Sequence, residues 1–340
     1  MEEKKEMNNN KEMNNNIEAV ESRIPEKHVT VVDVAKRAGV SVATVSRVLS
    51  GGSASQAARQ KVERAVEELD YHSLTGARKP ERMQDRSLAL IISDLSNPYY
   101  ASLCAGAEEA ARRAGWCLIA YQTALMGWVE DSVADRVLEL PVSGVVLVGS
   151  AVESGSPEEI RTRLSSIAQR MPIVTIGPRV EGVNCVNLTS DLSLSVRKSI
   201  SHLVTLGNRR ISFIGGSGGI RSSSARRRAY YQEMERLGLP ADREISSDAG
   251  FTPQAGEFCV NRLLSGLPRK EWPTAIIAIN DLVALGALRQ LHRMGIRVPE
   301  DMALIGCDNQ FFTPYLSPPL TTVDLHPFDH GVSAIEELIG

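Results

Sequence analysis

No apolar run in the sequence approaches the ~18 to 20 residues that a bilayer-spanning helix needs, which argues against a helical membrane protein. The amino terminus carries Glu and Asn where a secretory leader needs an apolar segment, so a chain kept in the cytoplasm is expected. Cys-x-x-Cys pairs are also missing. The five cysteines, Cys104, Cys117, Cys185, Cys259 and Cys307, lie far apart, which argues against a zinc cluster or a disulfide framework and predicts buried thiols in a reducing compartment. Catalytic signatures are absent as well: no nucleophile elbow and no Ser/His/Asp arrangement stands out. The glycine-rich stretch Gly215-Gly216-Ser217-Gly218-Gly219 lacks the Lys-Ser/Thr of a phosphate loop and the spacing of a dinucleotide fingerprint, so it reads as a flexible turn. An enzyme is therefore not expected, and neither a cofactor nor a metal is called for.

What is present is a chain of 340 residues, 43% apolar, long enough for two or three packed units. Its net charge of −3 does not advertise nucleic acid, but the distribution is uneven. Between His28 and Pro80 eight basic residues (Lys36, Arg37, Arg47, Arg59, Lys61, Arg64, Arg78, Lys79) face five acids (Asp33, Glu63, Glu67, Glu68, Asp70), a basic head on an acidic body. A solvated helix of mixed charge would show a similar bias.

Residues 1–27 repeat Lys-Glu-Met-Asn-Asn-Asn in tandem, at Lys5 to Asn10 and Lys11 to Asn16, and are too polar to offset chain entropy by burial; a disordered tail is expected. Residues 28–72 then read as three short helices. Thr30 is a possible N-cap with Asp33 three residues on, and Val31, Val34, Ala35 and Ala38 follow at helical spacing. Gly39 ends that helix, Ser41 can cap a second one carrying Val45, Val48 and Leu49 on one face, and Gln56 to Leu69 forms a third with Val62, Ala65, Val66 and Leu69 as its stripe. Two short helices joined by a Gly-containing turn satisfy the geometry of a helix-turn-helix, whose second helix must enter a major groove ~12 Å wide.

After a linker at 73–86, residues 87–340 alternate apolar runs with amphipathic stretches. Leu88–Ile92, Cys117–Ala120, Val145–Val148, Ile173–Ile176, Ile211–Ile214, Ala275–Ile279 and Ala303–Ile305 read as buried parallel strands, giving a doubly wound α/β body whose ligands bind beyond the carboxyl ends of the strands. The fold class is therefore α/β, with an all-α helix-turn-helix head.

The stretch Val31 to Leu49, with Asp33-Val34-Ala35-Lys36-Arg37-Ala38-Gly39-Val40-Ser41 at its centre, closely resembles the signature of the lactose repressor (LacI/GalR) family. The resemblance continues through Ser96-Asn97-Pro98-Tyr99-Tyr100, Leu206 to Ile211, Ile279 to Ala287, Arg297 to Asp301, Ile305 to Asp308 and Ser317 to Val323. It implies a sequence-specific DNA-binding regulator, a repressor, whose core is similar to two-lobed periplasmic sugar-binding proteins and is switched by a small polar ligand. A homodimer on a pseudo-palindromic operator is implied too. The alternative is a small-molecule binding protein with a vestigial head.

By position, Val42 and Ala43 should face base edges and suit thymine methyls, while Arg47 one turn later can reach guanine. The hydroxyls of Thr30, Ser41, Thr44 and Ser46 suit phosphates, and Ser41 serves equally as a plain N-cap. In the linker, Tyr71, Ala77 and Arg78 fit the family pattern, whereas Pro80 stands where the family inserts a leucine into the minor groove. For the effector, the resemblance implies Arg226 as a planar donor to ligand oxygens, Phe251 as a stacking ring, Asn280 and Asp308 as polar contacts after buried strands, and Tyr99 or Tyr100 with Ser150 on the opposite wall. The plain readings are helix caps for Asn280 and Asp308, core for Phe251 and a solvated face for Arg226. Two departures stand out: Thr189-Ser190 replaces the family's Asp-Asn, and Gly177-Pro178 its Asp-Arg or Gly-Arg. After Val323 the family continues with a helix, a strand and a closing segment, so with the sequence stopping at Gly340 an incomplete crossover into the first lobe is expected.

Overall fold

In the computed structural model, residues 29–49, 52–69, 86–123, 133–241 and 249–340 are described, and they fall into two units, Met1–Arg82 and Met83–Gly340. The tail at 1–27 and the linker positions Tyr71, Arg78 and Pro80 lie outside the described residues.

The first unit holds three helices, α1 (Val31–Ala38), α2 (Val42–Leu49) and α3 (Gln56–Glu68). Thr30 and Asp33 form a reciprocal capping box at the start of α1, and Gly39 closes it at φ 64°, a left-handed conformation that costs glycine nothing. Ser41 Oγ accepts from the Thr44 amide at 3.2 Å and so starts α2; Ser55 does the same for α3 through Ala58. Their stripes meet in one small core of Val34, Ala35, Ala38, Val45, Val48, Val62 and Ala65.

The second unit has two parallel sheets. The first runs β2 (Cys117–Gln122), β1 (Ser87–Ile92), β3 (Gly144–Val148), β4 (Ile173–Ile176), β5 (Val186–Leu188), and the second runs β6 (Ile211–Ile214), β7 (Ala275–Ala278), β8 (Ala303–Asp308), β9 (Thr321–Asp324). The connecting helices are α4 (Pro98–Arg113), α5 (Val133–Leu138), α6 (Ser150–Glu153), α7 (Pro157–Ala168), α8 (Leu192–Thr205), α9 (Arg221–Arg236), α10 (Pro253–Leu264), α11 (Asp281–Arg293) and α12 (Pro327–Ile339). All seven expected strands are present, but β2 is not buried as expected: its residues are exposed or half-buried at the sheet edge. Strands β5 and β9, each at a sheet edge, carry no buried apolar run.

Three expectations need correction. The crossover into the first lobe is made: α12 leaves the second sheet after β9 and buries Ala334 and Ile335 among Leu88, Leu90, Leu103 and Val146 of the first. It lies so close to α4 that a Cβ on Gly331 would sit 2.1 Å from the Leu103 carbonyl, and one on Gly106 2.0 Å from that of Phe328. Second, only Cys259 and Cys307 are buried; Cys104 and Cys185 are half-buried, and Cys117 is exposed at the start of edge strand β2. Third, Gly215 to Gly219 is a tied turn: Gly216 exchanges backbone hydrogen bonds of 2.7 and 2.9 Å with Gly250, and the Ser217 amide donates to Ser223 Oγ.

Candidate functional site

On α2 the apolar and polar positions separate cleanly. Val45 and Val48 are buried against α1 and α3, which leaves Val42 (43% exposed), Ala43, Ser46 and Arg47 together on the outer face. The Arg47 Nε donates to the Ala43 carbonyl at 3.3 Å, laying the side-chain stem along the helix. Ser41 Oγ and Thr44 Oγ1 are 2.9 Å apart, and the Thr30 hydroxyl donates to Asp33 Oδ2 at 2.6 Å, so these hydroxyls complete helix caps while remaining at the surface.

In the second unit Ser150, Asn280 and Asp308 lie at or just beyond strand carboxyl ends, where doubly wound sheets place ligands. Ser150 follows β3 and belongs to a hydroxyl cluster: Ser93 Oγ donates to Ser150 Oγ at 3.1 Å and accepts from its amide at 2.8 Å, and Thr123 Oγ1 lies 3.3 Å away. Tyr100 joins through Ser93. Its hydroxyl is pushed up to about 12 by burial, which the Ser93 hydrogen bond only partly offsets. Tyr99 stacks edge-on against Tyr100 at 5.3 Å, and burial together with the charge of Asp308 raises its hydroxyl further.

From the second lobe, Asp308 ends β8 with φ 112°, a strained backbone for a side chain other than glycine. Burial pushes its carboxyl up to about 8, partly offset by the opposing charge of Arg226 and a hydrogen bond from the Gln310 side chain. Arg226 Nη1 donates to the Ile279 carbonyl at 2.5 Å, while its buried Nε has no partner. That residue borders a small pocket of about 10 Å³, with Ser195, Ser199, Phe213 and Cys307, large enough for about one water. Asn280 caps α11 through the Val283 amide (2.8 Å) and donates from Nδ2 to the Phe251 carbonyl (3.1 Å), so its amide is committed on both sides. Phe251 packs half-buried against the second core. The structure thus draws Tyr99, Arg226 and Asp308 into one electrostatic neighbourhood, ties Tyr100 to Ser150, and pairs Phe251 with Asn280.

Several residues that sequence reasoning missed support this arrangement. Asp281 is fully buried; it accepts from Thr322 Oγ1 at 2.6 Å and from the Gln310 amide at 2.8 Å, which pins the loop after β8. Burial raises its carboxyl to about 6 despite those bonds. Gln310 is 5% exposed, and its side chain lies against the Asp308 carboxyl, whose pKa it lowers. An acid inside the apolar stretch Ile279 to Ala287 was the available signal for Asp281. A separate cleft of about 490 Å³ opens between Gly155 and Pro178 of the first lobe and Gly218, Arg221, Ser224 and Arg228 of the second; none of the seven expected effector residues lines it. Among the described residues, no cluster of His, Cys, Asp or Glu could hold a metal, and no helix is long and apolar enough to cross a membrane.

Residues 30–73 match the model of bacterial regulatory proteins of the lacI family, and residues 200–340 match a periplasmic binding protein-like domain. Over 313 residues the chain is 31% identical to the HTH-type transcriptional repressor CytR of Escherichia coli K12, covering 91% of this chain and 89% of that protein. Its fold is similar to that of the lac repressor dimer bound to operator and an anti-inducer (TM-score 0.68, 24% identity, 92% of each chain). The regulator CelR in complex with cellobiose is likewise similar (TM-score 0.64, 27% identity, 92% of each chain). With a three-helix unit, a two-sheet unit and this extent of shared sequence, the chain belongs to the lacI family of bacterial regulatory proteins.

Proposed function

We propose that this protein is a cytoplasmic transcription repressor that binds a two-fold-related operator as a homodimer and is switched by a sugar or related polyhydroxylated metabolite in the interlobe region. Residues 28–72 form the reading head, 73–86 the linker and 87–340 the effector core. The observation that carries the reading is the outer face of α2, where Val42, Ala43, Ser46 and Arg47 are exposed while Val45 and Val48 hold the helix to its core. Small apolar side chains at the helix start suit thymine methyls, and Arg47 one turn on suits guanine. In the core, Tyr99, Tyr100, Ser150, Arg226, Phe251, Asn280 and Asp308 form the effector wall, with Arg226 as the planar donor and Asp308 as the group that gains an acceptor role when it ionises. A sugar-binding protein with a vestigial head is disfavoured by the intact reading face.

Titration of the full-length protein against operator and unrelated duplex tests this. Arg47→Ala is expected to lose about 1 to 3 kcal/mol on operator and far less on unrelated DNA. An equal loss on both would confine Arg47 to phosphate and remove the base-reading role. Thermal-shift screening of sugars, nucleosides and purines against wild type and Asp308→Ala then identifies the effector; a ligand that stabilises both equally would refute the assigned wall.

A further inference from the structure

Helix α9 begins in a way that helix chemistry disfavours. Its N-cap is Ile220, which offers no side-chain acceptor, and its first residue is Arg221, a cation at the positive end of a 16-residue helix. Both defects are corrected from the opposite lobe. Glu153, the last residue of α6, accepts from the Ser222 amide through Oε2 at 3.0 Å, supplying the anion that the helix start lacks. The Arg221 guanidinium turns outward, donating to the Arg179 carbonyl at 2.8 Å and to the Pro178 carbonyl at 3.4 Å. Between these two links Ser154 and Ile220 pair as an antiparallel bridge.

Breaking a local rule on one element and repairing it from another marks a place where the tertiary arrangement is selected for something beyond helix stability. We propose that Glu153 and Arg221 form an interlobe clasp: an acid on the first lobe and an arginine on the second, each bonded to the backbone of the opposite lobe only when the lobes are together, which stabilises the closed arrangement and slows its opening. The clasp rests on the two-lobed switch proposed above and adds the groups that set its closed population. It draws on no residue of the effector wall.

Ser154 and Ile220 supply the probe. Bridge partners of this kind have Cα atoms about 4.5 to 5.5 Å apart, within disulfide range, so Ser154→Cys with Ile220→Cys reports closure by its rate of cross-linking in oxidised glutathione. The full-length chain carrying that pair is compared with the same chain bearing Glu153→Ala, Glu153→Gln or Arg221→Ala, each checked by its melting temperature and by a parent without the pair. Cross-linking is expected to slow about fivefold for Glu153→Ala and Arg221→Ala and less for Glu153→Gln, which keeps an acceptor but not the charge. Rates within about twofold of the parent pair in all three would overturn the clasp; should Glu153→Ala fail to fold, Glu153→Gln and Arg221→Ala decide it. No DNA or effector enters this measurement. Operator affinity of the locked and reduced forms is read separately, and equality there would remove the switch while leaving the clasp standing.

Discussion

Asp308 offers the sharpest quantitative test of the effector region. Burial raises this carboxyl to about 8 in the folded chain, whereas an exposed aspartate in the unfolded chain titrates near 3.8. Anywhere between those values the native state binds more protons than the unfolded one, so stability falls as pH rises through that window. Asp281 contributes the same sign, but only up to about pH 6. Between about pH 6 and pH 8 Asp308 is therefore the dominant carboxyl, and at about 1.4 kcal/mol per pH unit the loss is at most about 3 kcal/mol. Relaxation around the buried group brings the expected loss to about 1 to 2 kcal/mol. Asp308→Asn keeps the shape and the neutral form, so its stability should be nearly flat across the same range. Urea unfolding of both proteins at three pH values gives the difference directly. A wild-type minus variant difference that does not change with pH would refute a protonated Asp308. Effector binding carries the companion expectation: a ligand whose hydroxyls need the ionised carboxylate must displace that proton, so its affinity should rise with pH and calorimetry should detect proton release.

Other outcomes follow from packing. Gly331→Ala should lower the melting temperature of the core, at a cost of about 1 to 3 kcal/mol or more, because its Cβ meets the Leu103 carbonyl backbone and not a yielding side chain. Val45→Ala, which empties a fully buried position in a small core, should cost the head about 2 kcal/mol, seen as faster amide exchange in α1 to α3 with the core transition unchanged. Thr322→Val removes the 2.6 Å donor to buried Asp281 and should cost about 1 to 3 kcal/mol, with a loss that grows above pH 6 as the carboxyl ionises without it.

The elements readable in the sequence were those with a one-dimensional signature. Leu88 to Ile92 or Ala275 to Ile279 can only be buried strands, and Thr30, Gly39 and Ser41 mark helix ends by chemistry that acts within four residues. Val186-Asn187-Leu188 and Thr321 to Asp324 escaped because an edge strand needs no apolar run, only a neighbour to pair with. The pattern after Val323 looked too short to reach the first lobe, yet Gly331, Ala334 and Ile335 at helical spacing suffice when the partner helix presents Gly106. Tyr99, Arg226 and Asp308 were named from the family pattern. Asp281, Gln310, Glu153 and Arg221 were not, since each owes its significance to a partner at least 29 positions away or to burial that periodicity does not encode.

Because α12 completes the core of the first lobe after the whole second lobe has intervened in the sequence, the first lobe cannot finish folding until residues 327–339 have been made. The sheet from β1 to β5 emerges from the ribosome with the surface meant for Ala334 and Ile335 still wet, and it must wait for the entire second lobe to be translated. At about 5 to 20 residues per second the interval is several seconds at least, during which the nascent chain exposes an apolar face that chaperones can bind.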